Sequence, residues 1–229
     1  MTALYHYPPQ TALKRVIPKT RIYDGVGANT ALRERFAREV DQITWAHKLA
    51  PETLNLAPTF AVPEIQVFRL TLKGDALHDD ILRAIDRAVP FPLIFELVAD
   101  GRVQAAAAYK RPSAAELGKW VLSDPLRSEW VAQNAPRVAL PVAVSMGALY
   151  DGMLAALMPI DPVAGEDVET RLARLVAIRA KEREIAQLQS KLRRESQFNI
   201  KVTLHGQLAE AQATFDHLKA PGQPGKGTP

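Results

Sequence analysis

Cysteine is absent from all 229 residues. No disulfide frame, thiolate zinc site or cysteine nucleophile is therefore available to the chain. Long apolar runs are missing as well. The opening MTALYHYPPQTALKR lacks the apolar core of a signal peptide, and the most apolar later stretch, VALPVAVSMGALYDGMLAALM, is broken by Pro141, Gly147, Asp151 and Gly152. No membrane contact is expected, and the expected location is cytoplasmic. No phosphate-cradling glycine loop and no nucleophile elbow occurs, since GVGAN at 25–29 is only a turn-like fragment. His6, His47, His78, His205 and His217 are scattered, with none placed beside another histidine or a carboxylate in a strong ligand motif. Neither a metal nor a cofactor is expected from them.

What is present is ordinary for a globular chain: 47% hydrophobic and 24% charged residues, enough to build one large domain with an extension. The net charge of +4 is uneven, because residues 1–50 carry eight Lys/Arg against four acids. Lys14, Arg15, Lys19 and Arg21 are the candidates for contact with nucleic-acid phosphate. The competing reading is a solvated surface, since no aromatic-plus-basic motif accompanies the charge.

The patterning predicts an α/β or α+β fold with a mixed or antiparallel central sheet and flanking helices. Residues 1–29, with Pro8, Pro9, Pro18, Gly25 and Gly27, read as an extended arm. Leu32, Phe36, Val40 and Ile43 lie on one face of a helix capped by Thr30 and ending near Leu49. EIQVFRLTLKG at 64–74 alternates as a strand, with Phe68, Leu70 and Leu72 on one face and Ile65, Val67 and Arg69 on the other. Asp75 is expected to cap a second helix with Leu77, Ile81, Ala84, Ile85 and Ala88 inward. Asp100-Gly101 is a type I′ hairpin signal whose register pairs Ala99 with Arg102 and Glu96 with Ala105. Both faces of this hairpin are mainly apolar, so it is expected to be central.

Further along, GKWVLSDPLRSEWVA reads as two short strands about Asp124-Pro125, and SMGALYDGMLAALM as a short helix with Leu149, Met153, Leu154 and Leu157 inward. From Glu166 the composition turns to Ala, Leu, Arg, Glu and Gln. Ile185, Leu188 and Leu192 form one heptad seam, and Leu204, Leu208, Ala211, Phe215 and Leu218 another, on either side of SQFNIKVT. This predicts a coiled-coil-like helical extension with a break, covered by its own hairpin, by the domain or by another chain. The expected division is a globular domain with its arm at 1–165, helices at 166–219 and a disordered tail at 220–229.

IPKTRIYD at 17–24, KLAPETLNL at 48–56, EIQVFRLTLK at 64–73, IDRAVPFPLIFEL with AYKR, and QFNIKVTLHGQL form an ordered series. Together they resemble the bacterial family named domain of unknown function 4391 over nearly the whole chain. Members of that family are often encoded near helicases and DNA methyltransferases of restriction or phage-defence type. The resemblance implies a neighbourhood rather than a mechanism.

The chemistry then turns on PLIFELVADGRVQAAAAYKR, residues 92–111, where Glu96 stands alone in an apolar run. A metal-dependent nuclease would draw Asp86, Glu96 and Lys110 together on a divalent cation. Against it, the position two residues after Glu96 is Val98, and the hairpin register sets Lys110 opposite Phe91, on the other face. The structural alternative is a buried ion pair with a neighbouring cation, Arg69 first and Arg87 second. The Pro51-Glu52-Thr53 segment reads as a joint between elements. The expected function is therefore a non-enzymatic accessory subunit of a helicase–methyltransferase defence or modification system. Its partner-helix candidates are Ile185, Leu188, Leu192, Asn199, Leu204, Leu208 and Phe215. A metal-dependent or degenerate nuclease and a sequence-independent nucleic-acid-binding module are the alternatives. Expected partners are a helicase or methyltransferase subunit, with DNA and a second copy of the chain as further candidates.

Overall fold

The computed structural model describes residues 3–113, 115–116 and 119–220. These fall into two compact units, one up to Leu157 and one from Met158. The expected tail at 220–229 lies outside the described residues except for Ala220.

The N-terminal region is not an extended arm. A 3-10 turn at Pro9–Thr11 leads into strand β1 (Ala12–Val16) and helix α1 (Lys19–Val26). The prolines and glycines that suggested an irregular segment are boundaries instead. Pro18 holds the N-cap with extended backbone, and Gly27 ends the helix in the left-handed region at φ 59°.

Helix α2 (Thr30–Glu39) is capped one residue earlier than expected, by Asn29, whose side chain accepts from the Leu32 N–H at 2.9 Å. It stops ten residues short of Leu49, because Val40–Leu49 is strand β2. The buried residues Val40, Ile43, Ala46 and Leu49 recur every third position, which looks helical. Two β-bulges produce this spacing: the pairing with β3 (Ile65–Leu72) steps by two residues against one at Val40/Gln42 and again at Trp45/His47. The first bulge puts Val40 and Ile43 three apart on one face, and the second passes the burial to the other face, where Leu49 pairs with Ile65.

A short helix, α3 (Pro51–Leu54), joins β2 to the segment before β3. Helix α4 (Asp79–Ala88) then crosses back so that β4 (Leu93–Ala99) runs parallel to β3. Its cap is His78 rather than Asp75. The Asp100-Gly101 turn, at φ 46° and 70°, closes the hairpin from β4 to β5 (Arg102–Ala107) with Ala99 opposite Arg102 and Glu96 opposite Ala105. The hairpin register ends there. Lys110 instead begins β6 (Lys110–Pro112), which pairs with β7 (Trp120–Leu122), so it does not stand opposite Phe91. The short strands β8 (Leu126–Arg127) and β9 (Val131–Ala132) both add to β5. The result is a mixed sheet in the order β1-β2-β3-β4-β5-β8.

One face of that sheet packs Phe68, Leu70, Phe95 and Leu97 against Ile22, Phe36, Ile81 and Ile85 of the helices. Each such side chain, when fully buried, contributes roughly 1.5 to 3 kcal/mol. On the opposite face stand Val67, Arg69, Ile94 and Glu96, fixed there by strand alternation. Helix α5 (Met146–Ala155), capped by Ser145, buries Leu149, Met153 and Leu154 in the same unit.

In the second unit, α6 (Val168–Arg194) and α7 (Phe198–Lys219) are joined by Glu195–Gln197 and pack on each other. Ile185, Leu188 and Ala211 form the buried seam, with Leu204, Leu208 and Phe215 against them. At the open end Arg174 grips Glu166 with two bonds, at 2.7 and 2.8 Å, and donates to the Leu218 carbonyl at 3.2 Å. The start of α6 is thereby tied to the end of α7. No helix among the described residues is long and apolar enough to cross a membrane.

Candidate functional site

Glu96 is 1% exposed in the middle of β4. The parallel register sets Arg69 of β3 directly beside it, and Arg69 donates to Oε2 from Nη2 at 2.7 Å and from Nε at 3.2 Å. A second guanidinium, that of Arg137, donates to Oε1 at 2.5 Å and to Oε2 at 3.1 Å. Arg137 also donates to the Tyr5 carbonyl at 2.9 Å, while Leu4 and His6 exchange backbone hydrogen bonds with Val138. The clamp therefore holds the N-terminal segment as well as the acid. Arg87, the second sequence candidate for this pairing, lines a separate groove with Arg35 and Arg83.

Burial alone would raise the Glu96 carboxyl, but the hydrogen bonds and charges of Arg137 and Arg69 outweigh it and hold the pKa below the ordinary carboxylate value. The carboxylate is thus ionised and doubly compensated, and the cluster carries a surplus positive charge. Two further groups share its field. The Tyr7 ring lies 4.5 Å from the His47 ring, centroid to centroid. Burial first, then the Glu96 charge, pushes the Tyr7 hydroxyl well above its ordinary value. Burial lowers the His47 pKa, with Glu96 opposing and the two arginines reinforcing. His47 is accordingly neutral at neutral pH, its Nδ1 hydrogen-bonded to Thr11 Oγ1 at 2.9 Å.

Asp86 has a different setting. It lies in α4, 0% exposed, and both carboxylate oxygens lack a hydrogen-bond partner among the described residues. Lys110 is the cation whose charge acts on it, yet the Lys110 ammonium donates to the backbone carbonyls of Asp86 and Val89. Burial pushes the Asp86 carboxyl up to about 7 against the pull of Lys110, and burial brings Lys110 down to about 8 against the pull of Asp86. Tyr150 seals the place: it accepts from the Lys110 N–H at 3.2 Å and donates to the Ala108 carbonyl at 2.6 Å. Asp86 and Lys110 thus come together, while Glu96 points to the other side of the sheet.

A family model described as Domain of unknown function (DUF4391) matches residues 6–215. The chain belongs to this family. No curated protein and no solved structure matches it. In this DUF4391 chain no group of three or more His, Asp or Glu is placed to hold a metal ion among the described residues.

The basic candidates are divided between two roles. Lys14, at φ 52° in a β1 bulge, and Arg15 are exposed on the edge strand of the DUF4391 sheet, and Arg21 is exposed on α1. Lys19 is committed inward, donating to the Val40 carbonyl at 2.5 Å. Of the partner-helix candidates, Ile185, Leu188, Leu204, Leu208 and Phe215 cover one another within the α6–α7 pair, Leu192 is half-buried and Asn199 is exposed. Residue patterning missed Arg137 and Tyr7 altogether. The signal for both was indirect: a buried acid on a strand needs donors for two oxygens, and one neighbouring arginine covers only one of them.

Proposed function

We propose that the chain is a non-enzymatic accessory subunit working through protein contacts within a helicase–methyltransferase modification or defence system. What supports an interaction role above all is the start of α7, where Phe198 is 77% and Val202 55% exposed on one side of a helix whose seam is already filled. Ile200 lies exposed between them. The system itself follows from what is implied by the family resemblance. Two of the three groups that a nuclease would use are spent elsewhere: Glu96 on two guanidiniums, Lys110 on two carbonyls.

The test is a pull-down with the full chain in its native host, scored by mass spectrometry for the neighbouring helicase or methyltransferase subunit. Capture by the wild type and its loss in a Phe198→Ser/Val202→Ser variant with unchanged helicity is the expected result. Magnesium-dependent DNA cleavage by the purified chain, abolished in a folded Glu96→Gln variant, would instead establish the nuclease.

A further inference from the structure

The two ends of the α6–α7 pair differ in charge. At the open end Arg174 is held by Glu166, and further along α6 Lys181 reaches Glu184 at 2.7 Å. Beyond Glu184 the balance is lost. Lys191, Arg193 and Arg194 fill the last turn of α6, and Lys201 closes the first turn of α7. Glu195 is the only acid between Glu184 and Glu210. None of the four cations has an ion-pair partner among the described residues. Glu195 is turned to the joint, where it accepts from the Ser196 and Gln197 N–H groups at 2.8 Å each.

The dipole of α6 accounts for part of this charge. Its C-terminal end carries roughly half a negative charge, less than the three cations set there. Lys201 gains nothing from it. Helix α7 begins without a capping side chain and without an acid in its first turn, so the positive end of a second dipole stands beside that lysine. Phe198, Ile200 and Val202 are exposed at the same tip, with Lys201 and Val202 one turn on from Phe198. The tip thus offers an aromatic ring and two β-branched side chains among uncompensated cations.

We propose that this tip seats on an acidic protein face, with Phe198 in an apolar socket and Asp or Glu side chains around it. A second copy brings the same positive tip and is repelled. A nucleic-acid strand would use the cations and the ring but leave Ile200 and Val202 in water. A bilayer surface needs a longer apolar face, and beyond Val202 this side continues with His205 and Gly206. An aromatic anchor with a charged rim is the arrangement by which protein partners are held and oriented. The assignment rests on the accessory-subunit reading for the existence of a partner and adds the character of its surface.

The test uses the full chain in its native host, with p-benzoylphenylalanine in place of Phe198 and the photo-cross-linked peptides identified by mass spectrometry. The expected cross-link falls on a partner segment with an excess of Asp and Glu. Arg193→Glu/Arg194→Glu, with unchanged melting, is expected to lower capture about tenfold, while Arg193→Lys/Arg194→Lys keeps it. A cross-link to a segment without acidic excess, to a second copy or to nucleic acid overturns the proposal, and so does capture indifferent to charge reversal. If the neighbouring helicase or methyltransferase subunit is captured with no cross-link from position 198, the accessory role stands on another surface and this one falls. An acidic cross-linked segment on a protein outside that system supports the tip assignment and overturns the accessory reading instead.

Discussion

Asp86 and Glu96 are both carboxylates hidden from water, one on a helix and one on the strand that follows it, and they reach opposite states. Glu96 is surrounded by guanidinium donors that point at its oxygens, so its charge survives burial. Asp86 has a cation nearby whose hydrogens point elsewhere, so only the field remains and its pKa rises to about 7. The difference teaches that proximity of opposite charge is not enough. A buried anion stays ionised when hydrogen-bond geometry is spent on it, and is left uncompensated when the same donor is spent on backbone.

The comparison is broken most directly at Glu96. Glu96→Ala leaves Arg69 and Arg137 facing each other without their anion, and is expected to cost about 3 to 4 kcal/mol in denaturant unfolding. A loss below about 1 kcal/mol would mean that solvent compensates the arginines and that Glu96 is a surface pair in energetic terms.

Asp86 sharpens the contrast through pH. Its carboxyl holds a proton up to about 7 when folded but releases it near 3.8 when unfolded. Between these values the folded state binds more protons, so stability falls as pH rises from 4 to 7, the reverse of the Glu96 contribution. Lys110 acts oppositely at higher pH: it loses its proton near 8 folded and 10.5 unfolded, so stability is regained across that interval. Asp86→Asn has no carboxyl to titrate. The stability difference between wild type and variant is expected to shift in the variant's favour by about 2 to 3 kcal/mol from pH 4 to pH 7. Thermal melts across that range check it, and a pH-independent difference would refute it.

A smaller effect is expected at Tyr150, which serves the Asp86 side alone. Tyr150→Phe leaves the Lys110 N–H and the Ala108 carbonyl without their partner, at about 1 to 2 kcal/mol in the same unfolding assay. The smallest is Arg69→Lys, expected at under about 1 kcal/mol, since Arg137 still covers both oxygens and the Arg69 side chain is 41% exposed. A loss equal to that of Glu96→Ala would make Arg69 the sole effective partner.

Where local rules governed, the fold was legible in the residues. Asp100-Gly101 fixed the β4–β5 register because a two-residue turn leaves little freedom. Alternation gave the two faces of β3, and helical spacing gave α4 and α5. Two kinds of error had physical causes. Bulges in β2 imitate a helix, and the prolines and glycines near the N-terminus have the composition of an irregular segment while serving as caps and stops around short elements. The candidate site was legible only in part. An apolar strand made a cation for Glu96 necessary, and strand order made Arg69 available. Arg137 lies in a loop between β9 and α5, where neither periodicity nor spacing bears on its position.

The bulge at Ala46 has a consequence for how this gene can tolerate change. Residues two apart on a strand ordinarily share a face, yet Trp45 pairs with Phe68 on the helix-covered side while His47 pairs with Val67 on the side of Glu96. Ala46 is therefore an extra residue set between two that would alternate faces as direct neighbours. Point substitutions at Ala46 that fit its space leave that arrangement standing. An in-frame loss of its single codon would make Trp45 and His47 neighbours, and neighbours on a regular strand alternate faces, so each would keep its side and its partner on β3. A deletion scan through β2 should accordingly be best tolerated at Ala46, whereas loss of a residue within the regular stretch 42–45 turns its neighbours onto the wrong face.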